Sequence, residues 1–78
     1  MKKDNDSEIR IKQKVGNVVR QARIDAGLSP KEFSEKTDFA LNDVSSIENG
    51  NRNLTIGTLN RISEALNSDL QISFIPNL

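Results

Sequence analysis

Between residues 25 and 56 the chain stops and restarts a helix at short intervals, and this punctuation limits its fold more than any other feature. Gly27 is the glycine that closes a helix in a left-handed conformation, and Leu28 is the apolar residue that follows such a stop. Ser29-Pro30-Lys31-Glu32 restarts a helix at once. Ser29 can cap it, proline suits the first helical position, and Glu32 completes a capping box. The spacing predicts a short helix over 30–37 with Phe33 facing the core, then a break at Thr37-Asp38-Phe39. A third helix fits 41–48, with Val44 and Ile47 inward, and Asn49-Gly50 stops it. Asn51-Arg52-Asn53 reads as a loop. Thr55 caps a further helix carrying Ile56, Leu59, Ile62, Ala65 and Leu66 on one face, and Asn67-Ser68-Asp69 ends it.

The flanks differ. Residues 1–7 are polar, without periodicity, and read as a flexible N-terminal arm. Ser7 is placed to cap a helix that starts near Glu8. Ile11, Val15, Val19, Ala22 and Ala26 then follow at helical spacing. Gly16 within that stripe costs about 1 kcal/mol relative to alanine, which points to a close helix contact. In the tail, Leu70, Ile72 and Phe74 alternate with Gln71, Ser73 and Ile75, the period-2 pattern of a strand, and Pro76 ends it. No second strand signal exists in the chain. A lone strand is a template for pairing with another chain, so the tail reads as a dimerisation element, two copies pairing antiparallel across a two-fold axis. The alternative is a tail packed on the helices of its own chain.

Length sharpens that point. A chain of 78 residues forms one small domain, and such a domain buries only about 60% of the surface its unfolded form exposes. Folds of this size need a staple or a partner. Cysteine is absent, so no disulfide serves. Histidine is absent too, which removes imidazole zinc ligands and histidine-activated nucleophiles. With no glycine-rich phosphate loop and no paired carboxylates on a pocket-sized scaffold, nothing supports an enzyme, a cofactor or a metal. No apolar run is long enough to span a membrane. The polar Asp-Asn-Asp-Ser-Glu after Met-Lys-Lys argues against a signal peptide, and a cytoplasmic location is expected.

Eleven Lys+Arg balance eleven Asp+Glu, which by itself argues against a nucleic-acid binder. The balance is an average, however. Residues 1–36 hold nine basic and six acidic residues, whereas 37–78 hold two basic and five acidic. A basic face can therefore exist on a neutral chain.

Two short helices around a three- or four-residue break, inside a four-helix unit, make a helix-turn-helix arrangement. The segments Val15-Gly16, Arg23 through Ser34 with Gly27-Leu28-Ser29, Val44-Ser45-Ser46-Ile47-Glu48-Asn49-Gly50, and Thr58 through Leu66 together resemble the phage-repressor (Xre-type) helix-turn-helix family. The resemblance covers about residues 12–67. It implies a mainly α fold: a four- to five-helix lambda-repressor-like domain over 8–68, followed by a short C-terminal β-strand in 69–78.

It also implies roles. Helix 30–37 would cross the DNA backbone, and helix 41–48 would enter the major groove. Leu41, Asn42, Ser45 and Ser46 would face the bases, with Asn42 the best reader because a carboxamide pairs bidentately with adenine. Ser29, Lys31, Asn49 and Arg52 would contact phosphates. Arg23 would pair with Glu48 and position the reading helix. Ser29 and Asn49 have a plainer reading as a cap and a helix stop. Two departures stand out. Pro30 lacks the side-chain donor that the family commonly places there. Asp43 puts a carboxylate near the phosphates, where it repels them unless it faces inward or caps the helix. Residues 38–50 carry three acidic residues and no basic one, so modest DNA affinity is expected of a monomer.

A helix-turn-helix followed by a Leu-x-Ile-x-Phe strand resembles the small antitoxin-type repressors, including partners of HipA-like kinase toxins. The expected function is a dimeric, sequence-specific repressor of a palindromic operator, acting as antitoxin and autorepressor of a toxin-antitoxin operon with a cognate toxin protein as partner. The alternatives are a free-standing phage or mobile-element regulator, and a protein-interaction module that keeps the fold with little DNA affinity.

Overall fold

A computed structural model describes residues 5–77, which form α1 (Asp6–Asp25), α2 (Pro30–Thr37), α3 (Leu41–Glu48) and α4 (Ile56–Ala65). The described residues are thus all-α with four helices, the lower of the two counts expected.

α1 begins earlier than the Ser7 cap would have it. Asn5 is the cap: its side-chain oxygen accepts from the Glu8 amide at 2.8 Å, and Glu8 Oε1 accepts from the Asn5 amide at 3.1 Å. A cap at Ser7 would put Arg10 at the third helical position, where no side-chain acceptor could close the box. Of the expected arm 1–7, residues 1–4 lie outside the described residues, and Asp6 and Ser7 are already helical. α2 starts on a second such box: Glu32 N–H donates to Ser29 Oγ at 3.1 Å, and Ser29 N–H donates to Glu32 Oε1 at 2.8 Å.

Three of the four helices stop in the same way. After α1, Gly27 (φ 75°) donates to the Ile24 carbonyl and Leu28 to the Arg23 carbonyl. After α3, Gly50 (φ 78°) and Asn51 make the matching bonds to Ile47 and Ser46, and after α4, Asn67 (φ 54°) and Ser68 make them to Glu64 and Ser63. Each pair satisfies carbonyls that a bare helix end would leave unpaired.

The helices close on a core of Val19, Phe33, Val44, Ile47 and Ile62, with Val15, Leu28, Phe39, Leu54, Ala65 and Leu66 packed around it. Every helix contributes to it. Three residues of the predicted apolar stripes stay outside: Ile11, Ile56, and Ala26, which lies past the last residue of α1. Ile56 is 71% exposed because it is the first residue of α4 and its Cβ points back off the helix end. Ile11 is 53% exposed, at the edge of a shallow hollow that it shares with Asn53, Leu54 and Leu59.

α1 meets the end of α3 backbone to backbone. A Cβ on Gly16 would stand 2.6 Å from the Ile47 carbonyl oxygen and 2.8 Å from that of Glu48. Only glycine allows that approach, and it fixes where α3 ends.

The expected C-terminal β-strand is not formed among the described residues. Residues 69–77 make no backbone ladder, since ladder bonds need a second strand and one copy of the chain offers none. The first part of the tail helps line an open apolar groove with α1 and α4, Leu70 and Ile72 joining Val15, Val18, Leu59 and Leu66. Phe74 is 98% exposed and Ile75 is 85% exposed.

Candidate nucleic-acid interface

α2 and α3 are separated by three residues, Asp38, Phe39 and Ala40. Asp38 takes a left-handed conformation (φ 65°) and turns the chain. Thr37, fully buried, ties the turn together: its hydroxyl donates to the Phe33 carbonyl at 2.8 Å and accepts from the Phe39 amide at 3.3 Å. Ser34 Oγ donates to the Phe39 carbonyl at 2.6 Å. These bonds hold the angle between the two helices.

α3 then divides its residues by periodicity. Val44 and Ile47 are buried, and Leu41, Asn42 and Ser45 are exposed, with Ser46 at the margin. The structure therefore brings the four candidate base-reading residues onto one open helix face. Ala40 caps α3 without a side-chain bond.

The buried side of α3 is anchored by an ion pair. Arg23 Nε donates to Glu48 Oε2 at 2.8 Å and Nη2 donates to Oε1 at 3.2 Å, while Nη1 donates to the Leu28 carbonyl at 2.8 Å. The two side chains are 10% and 9% exposed. The hydrogen bond to Glu48 raises the arginine pKa above its ordinary value, against the lowering effect of burial. One guanidinium thus links α1, the turn before α2 and the end of α3.

The four candidate phosphate residues do not form one cluster. Ser29 caps α2, and Lys31 is exposed on its first turn. Asn49 caps α3 and its Nδ2 lies 3.5 Å from Ser45 Oγ. Arg52 folds back onto α3, where its Nη2 pairs with the Asp43 carboxylate and its Nε donates to Ser46 Oγ at 3.3 Å. Asp43 faces neither inward nor into a cap; it faces Arg52.

One residue near the turn escaped sequence reading. The Arg61 guanidinium of α4 stands over the Phe39 ring, 5.1 Å from its centroid, a cation–π contact. No spacing rule joins residues 39 and 61, so only the fold reveals it.

Two short helices at a fixed turn, the second with a polar open face and an anchored back, define a helix-turn-helix DNA-binding domain. The chain belongs to the helix-turn-helix family, of Xre/Cro-C1 type, whose pattern matches residues 19–72. Comparison with curated proteins gives no match. The family is a DNA-binding one rather than an enzymatic one, and the protein is a DNA-binding transcriptional regulator. No helix among the described residues is long and apolar enough to cross a membrane.

Proposed function

We propose that the protein is a cytoplasmic repressor that binds a palindromic operator as a dimer, with α3 in the major groove. The observation that carries this is the open face of Leu41, Asn42, Ser45 and Ser46 on a helix whose opposite side is anchored through Arg23–Glu48 and Gly16. Preorganised readers lose little freedom on binding. Asn42 is the adenine reader, the serines bond to either base class, and Leu41 meets a thymine methyl. Ser29, Lys31 and Asn49 hold the backbone.

The tail supports the dimer. Leu70, Ile72, Phe74 and Ile75 are exposed, make no backbone–backbone hydrogen bond among the described residues, and sit on one continuous segment. Two such segments pairing antiparallel would cover both faults at once. A dimer also doubles the base and phosphate contacts, which a neutral chain needs. The tail pattern further supports an antitoxin that represses its own operon and holds a toxin.

Selection from a random duplex library tests the reading. The full chain should enrich a palindrome, and the truncation at residue 69 should sediment as a monomer and bind it far more weakly. An interaction module with the same fold would enrich nothing at low salt. That second reading is favoured by Pro30 and by an Arg52 already engaged by Asp43.

A further inference from the structure

The Asp43–Arg52 pair lies on the flank of α3 beside Ser46, at the edge of the candidate reading face, and base readout does not use it. Arg52 is the only basic residue in the stretch 37–60. A cation at the end of a recognition helix attracts phosphate on every DNA sequence alike. Here it is held. Asp43 and Ser46 stand one turn apart on α3, and the guanidinium lies across both.

A structural purpose is weak. The two side chains are 45% and 44% exposed, and ion pairs so exposed contribute about 0–1 kcal/mol to stability. Asp43 stands in the first turn of α3, where a carboxylate adds about 0.3–1 kcal/mol through the helix dipole, and its carboxylate bonds to Arg52 rather than back to the Ala40 amide. What the pair does change is the charge that this face presents to DNA.

We infer that Asp43 is a specificity-determining residue: it holds Arg52 away from the phosphates and lowers the sequence-independent part of DNA affinity. Base readout by α3 then decides where the protein binds. The inference rests on the DNA-binding reading above. It makes the zero net charge of the chain part of its selectivity, since affinity for arbitrary DNA is what competes with an operator.

The test is fluorescence anisotropy of the full chain on a library-selected duplex and on a scrambled duplex of equal length, over a series of potassium chloride concentrations. Asp43→Asn should bind the scrambled duplex several-fold more tightly. Its affinity should fall more steeply with salt, by about 0.9 in the log–log slope per arginine released onto a phosphate. The ratio of selected to scrambled affinity should fall. Adding Arg52→Gln should return slope and ratio to wild-type values, because the effect runs through Arg52. An Asp43→Asn slope equal to wild type overturns the inference while leaving DNA binding intact. A steep slope that survives in the double variant also overturns it, since direct repulsion of phosphate by Asp43 would then explain the change. If no variant binds any duplex while circular dichroism shows each folded, the DNA-binding reading falls and the inference with it.

Discussion

Two arginine–carboxylate pairs flank the same helix and do opposite things. Arg23–Glu48 grips the end of α3 from the inside, bidentate and nine-tenths buried. Asp43–Arg52 lies along its outer flank with nearly half of each side chain in water. Burial decides what each is for. A charge left unpaired inside the protein is very costly, whereas an exposed pair opens at little cost. The inner pair therefore sets geometry, and the outer pair sets the charge that α3 presents to DNA while contributing little to stability.

Removing one partner of each pair breaks this comparison if it is wrong. Glu48→Ala strands Arg23 among buried groups, and loss of one partner of a buried pair costs about 3–5 kcal/mol. A domain of this length has roughly 4–12 kcal/mol in total, so urea unfolding should show most of its stability gone. Equal unfolding midpoints for Glu48→Ala and wild type would show that the inner pair is no anchor. Gly16→Val tests the same junction without touching charge. Its side chain must displace the Ile47 and Glu48 carbonyls, and overpacking of this kind costs about 1–3 kcal/mol.

The outer pair should respond differently. Arg52→Ala should lower the unfolding free energy measured in urea by less than about 1 kcal/mol. A loss as large as that of Glu48→Ala would mean that the two pairs are not distinct in kind.

The smallest effect concerns the cap of α2. Hydrogen bonds from the Ser29 backbone, then from its side chain, hold the Glu32 carboxyl below its ordinary pKa. A pKa lowered by folding adds stability that is present at neutral pH and is lost as pH falls through the lowered value. Glu32→Gln should therefore show a slightly shallower loss of Tm on acidification than wild type. An identical acid limb in the two proteins would contradict the cap.

Punctuation carries most of the fold into the sequence. Gly27, Gly50 and Ser29-Pro30 mark helix ends because few residues suit a left-handed stop or a first helical turn. Asn5 was harder to see, since Ser7 offers a rival cap and only the partner three residues on distinguishes them. The tail differs: its alternation predicts a strand, and the described residues form none. Its alternation is real, but a strand exists only where a second strand supplies its bonds, and a single copy has none. Within the candidate site, the open face of α3 follows from its period. Arg52 does not: nothing in the spacing shows that the left-handed Gly50 turns the loop back and brings the arginine to Asp43.

The central claim is that α3 reads bases from its open face. Binding of Asn42→Ala to every single-base variant of a library-selected operator tests it most directly. Loss of about 1–3 kcal/mol with relaxed preference at one position of each half-site is the expected result. A uniform loss across all variants, or no loss at all, would contradict it.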